Sequence, residues 1–218
     1  MTEAAHGAGA GAPLPASAPG AHAHRDDEAA KIGMWLFLFT EILLFGGLFI
    51  LYAAYRAKYA PDFHESGRHL NHVIGIANTV ILLTSSLAMA VSVTAVQKDD
   101  RRLAKGALVA VLLLGALFLV NKGFEWTGEF RKGIYPNSPE LATRPKGEQI
   151  FFGLYFTMTG LHGLHVIAGL VVLGIMLRLV TDGRIRKGSH VLLENGGLYW
   201  HLVDVIWIFL LPLFYLAA

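Results

Sequence analysis

The sequence predicts an all-α fold, an integral membrane bundle of five transmembrane helices. Composition points first: 54% of residues are hydrophobic and only 16% charged, against roughly 25% charged in soluble domains. Apolar windows near the roughly 20 residues needed to cross hydrocarbon then recur five times, at Ile32 to Tyr55, Val73 to Val96, Leu103 to Trp126, Ile150 to Leu179 and Tyr199 to Leu216. The segments between them are short and polar. No internal repeat relates the spans, because each carries different polar residues, which argues against an inverted-repeat transporter.

Residues 1–30 precede the first span as a tail rich in Ala, Gly, Pro and His that ends in Arg25-Asp26-Asp27-Glu28. It lacks the basic start and short apolar core of a signal peptide, so it reads as a retained, disordered tail ahead of a membrane domain at 31–218. His22-x-His24 offers a weak chelate with nothing nearby to complete a ligand set. Orientation follows the placement of Lys and Arg. With the N-terminus inside, the cytoplasmic segments hold Arg25, Lys31, Lys98, Arg101, Arg102, Lys105, Arg178, Arg184, Arg186 and Lys187, ten against eight on the other side. The expected topology is N-terminus cytoplasmic and C-terminus periplasmic.

Formal charge is +2, too small to make a polyanion-binding surface, so nucleic acid is not an expected partner. Cysteine is absent. Disulfides, thiolate-held iron–sulfur clusters, covalent c-type haem and cysteine-ligated copper are thereby excluded.

The first span places Glu41 near mid-membrane, where an ionised carboxylate costs about 2.5 to 3.5 kcal/mol on insertion scales. It is expected to be protonated, hydrogen-bonded or turned to a protein interior, as a functional proton site or as a packing contact. In the second span Asn78, Ser85 and Ser92 recur every seven residues with Gly75, Ala88 and Ala95 on nearly the same side, a stripe suited to close helix packing. The third span ends with Lys122 and Glu125 three apart, able to pair at the outer boundary beside Trp126. The loop after it, Ile134 to Pro139, is turn-forming.

The fourth span carries His162 and His165 one turn apart, with Tyr155, Thr159 and Gly169 on the same general side and Gly160 and Gly163 permitting a close crossing. Two histidines at that spacing suit either interhelical hydrogen bonds or, with ligands from other spans, a metal or haem. The fifth span begins Tyr199-Trp200-His201-Leu202-Val203-Asp204-Val205-Ile206-Trp207. At about 100° per residue, Trp200, His201, Asp204, Trp207, Ile208, Leu211 and Tyr215 share one side, which must pack on protein. Val205, Ile206, Phe209, Leu210, Leu213 and Leu216 share the other, suited to lipid.

Thr40-Glu41, the run Thr159 to Gly169 and the run Tyr199 to Trp207 closely resemble the motifs of subunit III of haem–copper terminal oxidases. The resemblance extends from about Lys31 to the C-terminus in unbroken order. It implies an accessory, cofactor-free membrane subunit, with haem and copper held by subunit I and by subunit II beside it. It also implies a proton-pumping oxygen reductase in a bacterial plasma membrane, whose proton uptake and turnover stability this subunit supports. Carried over, Glu41, His162 and His165 are proton-related or lipid-contacting. Trp200, His201, Asp204, Trp207 and Glu125 are structural and face a partner. The mitochondrial members have two further helices ahead of the one bearing the glutamate, with phospholipid in the resulting cleft. Here that region is the tail, so the chain is similar to the shorter five-helix bacterial forms, and the cleft is missing or closed by another subunit.

Other readings remain. The accessory protein of nitric oxide reductases resembles the same family. A small membrane haem or metal protein would use His162, His165, His201, Asp204 and Glu41 together, and an ion carrier would centre on Glu41.

Overall fold

The computed structural model describes residues 19–216, with side chains from residue 27 onward. Seven helices run in order as α1 (Pro19–Lys58), α2 (Ala60–Arg68), α3 (His72–Gln97), α4 (Arg101–Arg131), α5 (Pro139–Ala142), α6 (Lys146–Thr181) and α7 (Val191–Leu211), which closes on a π turn at Pro212–Leu216. No strand forms among the described residues beyond one isolated bridge, Arg186 to Ser189. Five helices are long and apolar enough to cross a membrane, namely α1 from Asp27, α3, α4, α6 and α7 with its final turn. These are the five expected spans.

Three of the helices begin where side chains supply the missing acceptors. Asn71 caps α3 by accepting from the Val73 and Ile74 amides, Asp100 caps α4 through Leu103, and Ser138 caps α5 through Leu141. Pro61 and Asp62 open α2, a proline and an acidic residue in the first turn being what a helix start favours.

Three boundaries differ from expectation. α1 already runs from Pro19, so residues 19–30 are helical where a disordered tail was expected. Extending an Ala-rich helix from a formed span adds a hydrogen bond per residue without a new nucleation cost. Residues 1–18 and the side chains of His22 and His24 lie outside the described part. The segment after the first span, read as loop, contains α2. The last helix starts at Val191, eight residues before the apolar window, because Glu194 and Asn195 dilute its hydropathy without breaking the helix.

Helices α3, α4, α6 and α7 form a closed ring of neighbours, α3 packing most extensively on α4 and in turn on α7, while α6 touches α4 and α7. α1 lies outside this ring against α6 and α7, its apolar window mostly uncovered. One end of the bundle, closed by α2, gathers the C-terminus of α1 and the start of α3, with the ends of α4 and α7 and the start of α6. The other end carries the α3–α4 and α6–α7 turns.

The small-residue stripe of α3 is buried as expected, with Gly75, Asn78, Ser85, Ser92 and Ala95 all inside. The α3–α7 seam is an antiparallel ladder of polar contacts. Gln97 donates to Glu194 at 3.1 Å, Ser86 meets His201 at 2.6 Å, and the Trp200 and Trp207 indoles donate to Ser85 and Thr79, both at 3.0 Å.

Trp200 is wholly buried because two helices make room for it. A Cβ on Gly115 of α4 or on Gly169 of α6 would stand 2.8 Å from its ring. The expected close-crossing glycines of α6 are therefore corrected. Gly163 has open space around it and Gly160 meets only Trp126, whereas Gly169 admits the indole.

The two faces of α7 also need correction. Ile206 and Leu210, assigned to lipid, are buried, and Ile208, assigned to protein, is exposed. The inward arc is rotated toward Val203 and Leu210 because α6 and α3 flank α7 on two sides.

Candidate functional site

Among the described residues the bundle holds its ionisable groups in four separate places. At the α2 end, the Lys122 ammonium on α4 donates to Glu125 Oε2 at 3.2 Å, to the Tyr155 hydroxyl on α6 at 2.9 Å and to the Tyr215 hydroxyl after α7 at 2.7 Å. Both phenols pass their own protons toward Glu125 Oε1, Tyr155 at 2.7 Å and Tyr215 by a short bond. All three ammonium protons and both carboxylate oxygens are thus engaged, so the cluster is closed and neutral. Lys122 also lies over the rings of Tyr155, Trp207 and Tyr215, at 4.6, 5.2 and 5.3 Å from their centroids. One turn on, buried Glu129 accepts from Lys132 at 2.8 Å.

The Lys122–Glu125 spacing was legible in sequence, but as a boundary pair. Lys122 is 5% exposed and Glu125 6%, so the pair is interior. Lys122 is consequently not a loop charge, and it leaves the topology count. The phenols that complete the cluster come from residues 33 and 93 positions away, a separation that local spacing does not reveal.

Glu41 is not solitary. Its Oε2 lies 2.8 Å from His165 Nε2, joining α1 to α6. His165 Nδ1 is 2.7 Å from the Leu161 carbonyl, an acceptor only, so Nδ1 carries a hydrogen. A single remaining proton is then shared between Nε2 and Oε2, and the pair is net neutral on whichever atom it resides. The Tyr199 hydroxyl donates to the His165 carbonyl at 3.0 Å and the Phe45 ring stands edge-on to the imidazole.

His162 does not join this pair. It is wholly buried in an aromatic slot between Phe118 and Trp207, at centroid distances of 5.5 and 5.3 Å. On the α3–α7 seam, His201 Nδ1 meets Ser86 Oγ at 2.6 Å, and Asp204 follows one turn on along the same side of α7. Asp204 is 3% exposed. The five residues of the metal or haem reading, Glu41, His162, His165, His201 and Asp204, are therefore divided among three locations. No group of three or more potential ligands gathers among the described residues.

The assignment of Trp200, Asp204, Trp207 and Glu125 to a surface facing another subunit is corrected. All four are buried within this chain, and of the set only His201 is partly exposed. Their neighbours are the chain's own helices, since one face of α7 already meets α3 and another meets α6.

The fold and its paired interior charges define a multi-span helical membrane protein. The chain belongs to the cytochrome c oxidase subunit III family, which it matches over residues 14–218. It is 32% identical to cytochrome c oxidase subunit 3 of Thermostichus vulcanus over 90% of this chain and 92% of that one. Cytochrome bo(3) ubiquinol oxidase subunit 3 of Pseudomonas putida is 28% identical over 89% of each chain. Haem–copper oxidase subunit I+III of Aeropyrum pernix is 28% identical over 86% of this chain and 22% of its own length. The protein is thus an accessory membrane subunit of haem–copper oxidases, and the nitric oxide reductase reading is not favoured.

Two sets of substitutions test the site. Removing one member of the buried ion pair, as in Lys122→Met or Glu125→Leu, strands the other and is expected to cost about 3–5 kcal/mol. The double variant is expected to cost less than the sum of the two, and thermal unfolding in detergent reads the difference. Glu41→Gln retains a donor toward His165 and is expected to leave the unfolding temperature near wild type. Glu41→Ala is expected to lose about 1–3 kcal/mol by stripping a half-buried imidazole of its partner. Equal losses from the two Glu41 variants would show that charge, not hydrogen bonding, holds α1 in place.

Proposed function

We propose that this chain docks beside the haem- and copper-bearing subunit I, with subunit II, of an oxygen-reducing complex in a bacterial plasma membrane. It holds no cofactor, catalyses nothing alone, contacts phospholipid, and supports the stability and proton uptake of its neighbour. The observation that carries this reading is the relative named haem–copper oxidase subunit I+III, to which most of this chain is similar. A fused polypeptide keeps its two parts at high effective concentration, which suits parts that work in contact. The lightly covered α1 supports it too: Trp35, Leu36, Phe39, Leu43 and Ile50 are all exposed apolar side chains on one helix, a surface for lipid or another membrane subunit. Relatives are named for both cytochrome c and ubiquinol oxidases, and either donor is compatible with this chain.

The same proposal places the N-terminus and the end bearing the α3–α4 and α6–α7 turns in the cytoplasm. With buried Lys122 set aside, the Lys and Arg balance becomes ten against seven, concentrated in those two turns.

A tagged chain extracted in mild detergent is expected to bring a larger haem-containing subunit with it. Deletion is expected to leave haem reduction intact while turnover decays faster. A coloured or oxygen-consuming isolated chain would remove the accessory reading. For topology, Pro136→Cys is expected to react with an impermeant thiol reagent in intact spheroplasts and Lys187→Cys only after lysis. The opposite pattern reverses the orientation.

A further inference from the structure

We propose that Asp204 is a proton-binding site, reached by water from one end of the bundle through His201 and Ser86. The proposal concerns the interior of this chain and does not depend on which complex receives it. At the end bearing the α3–α4 and α6–α7 turns, a cavity of about 500 Å³ opens between α1, α3 and α7. Its polar lining includes Lys31, Gln97, Glu194, Asn195 and His201. At 1.5 Å per residue from Val191, His201 lies about 15 Å along α7 and Asp204 about 20 Å. The polar groups at the mouth give way inward to Trp35, Ala90, Val93 and Leu198, and His201 is the polar group of the wall that lies deepest along α7.

Beyond the cavity the contacts continue inward. His201 turns Nδ1 to Ser86 Oγ at 2.6 Å, and Asp204 stands one turn further along the same side of α7. Neither Asp204 oxygen has a hydrogen-bond partner within the described residues. No cation is paired with it among the described residues: Lys31 at the mouth is taken by Glu194 at 3.6 Å, His190 lies 3.1 Å from the same carboxylate, and Lys122 is closed off with Glu125. A carboxylate left ionised in that position bears the full cost of burial, whereas a carboxylic acid is neutral and needs only a partner for its hydroxyl.

The passage is blind. One turn past Asp204 the Trp207 indole fills the interior, wholly buried, edge-on to Phe118 at 4.8 Å and against His162, with its N–H spent on Thr79. Loading is balanced as follows. Water in the cavity gives a proton to the outer nitrogen of His201, Nδ1 releases its proton to Ser86 Oγ, and the serine hydroxyl proton passes to the Asp204 carboxylate. Reversal of the serine and return of the imidazole to its first tautomer reset the chain.

The test is infrared spectroscopy of the purified complex. The spectrum of wild type minus Asp204→Asn is expected to contain one carbonyl stretch of a protonated carboxylic acid, shifted on transfer to D2O. In His201→Leu and in Ser86→Ala that shift is expected to develop about tenfold more slowly, the factor given by about 1.4 kcal/mol on a barrier. Thr84→Ala, on the outer side of α3, is expected to exchange like wild type. Absence of an acid band belonging to Asp204 overturns the proton site. A band that exchanges at the wild-type rate in both His201→Leu and Ser86→Ala overturns the route. Ser86→Ala removes a single oxygen, so the question is answered even where the histidine variant fails to assemble.

Discussion

The ammonium of Lys122 is the group around which the α2 end of the bundle closes. Taking a lysine and a glutamate out of water costs several kcal/mol per ion even after relaxation. Three charge-assisted hydrogen bonds, at about 1.5–3 kcal/mol each, and the facing rings offset a cost of that order only if every donor is met at once. α4 supplies both ions three residues apart, α6 supplies Tyr155 and the turn after α7 supplies Tyr215. Displacing any of the three helices opens the cluster. The pair is therefore weak as a source of net stability and strong as a specification of which helices meet and in what register.

The same constraint explains how the outer helix is held. Between membrane helices lipid competes on equal terms with apolar side chains, so packing and polar contacts decide association. Trp200 uses both, its ring entering the space left by Gly115 and Gly169 while its N–H reaches Ser85. α1 has no comparable interlock. It is fastened by Glu41 on His165, by the Tyr52 hydroxyl on the Leu213 carbonyl and, toward its start, by Lys31 near Glu194 and Asn195 on the Ala30 carbonyl. A helix attached at so few points keeps most of its circumference for other partners, which suits an accessory subunit.

Features set by local periodicity were legible in the sequence. The five spans, the buried stripe of α3 and the identity of the polar residues follow from hydropathy and helical spacing. The runs around His162 and Asp204 were specific enough to indicate the family. What spacing does not encode is which helix lies opposite. Glu41 was recognised as needing a partner and His165 as able to be one, yet they are 124 residues apart. The buried face of α7 was misjudged at Ile206, Ile208 and Leu210 because a helix flanked by α3 and α6 has a wider inward arc than a two-sided pattern allows. α2 was missed because nine residues give too short a window for hydropathy, although Pro61 and Asp62 marked its start.

The Asp204 seam and the Lys122 cluster are kept apart by aromatic side chains, and the separation has a chemical consequence. Trp207, Phe118 and His162 form a layer between the Asp204 seam and the Lys122 cluster. Trp207 meets the seam through Thr79 and the cluster through its ring face beneath Lys122. Such a layer touches both polar regions and offers neither a continuous hydrogen-bonded route, since the Trp207 indole donates its one proton to Thr79 and accepts none, and neither His162 nitrogen has a hydrogen-bond partner among the described residues. Charge entering from either end is halted at the ring. A subunit built this way adds ionisable groups to the membrane interior beside a redox partner without adding a leak across it.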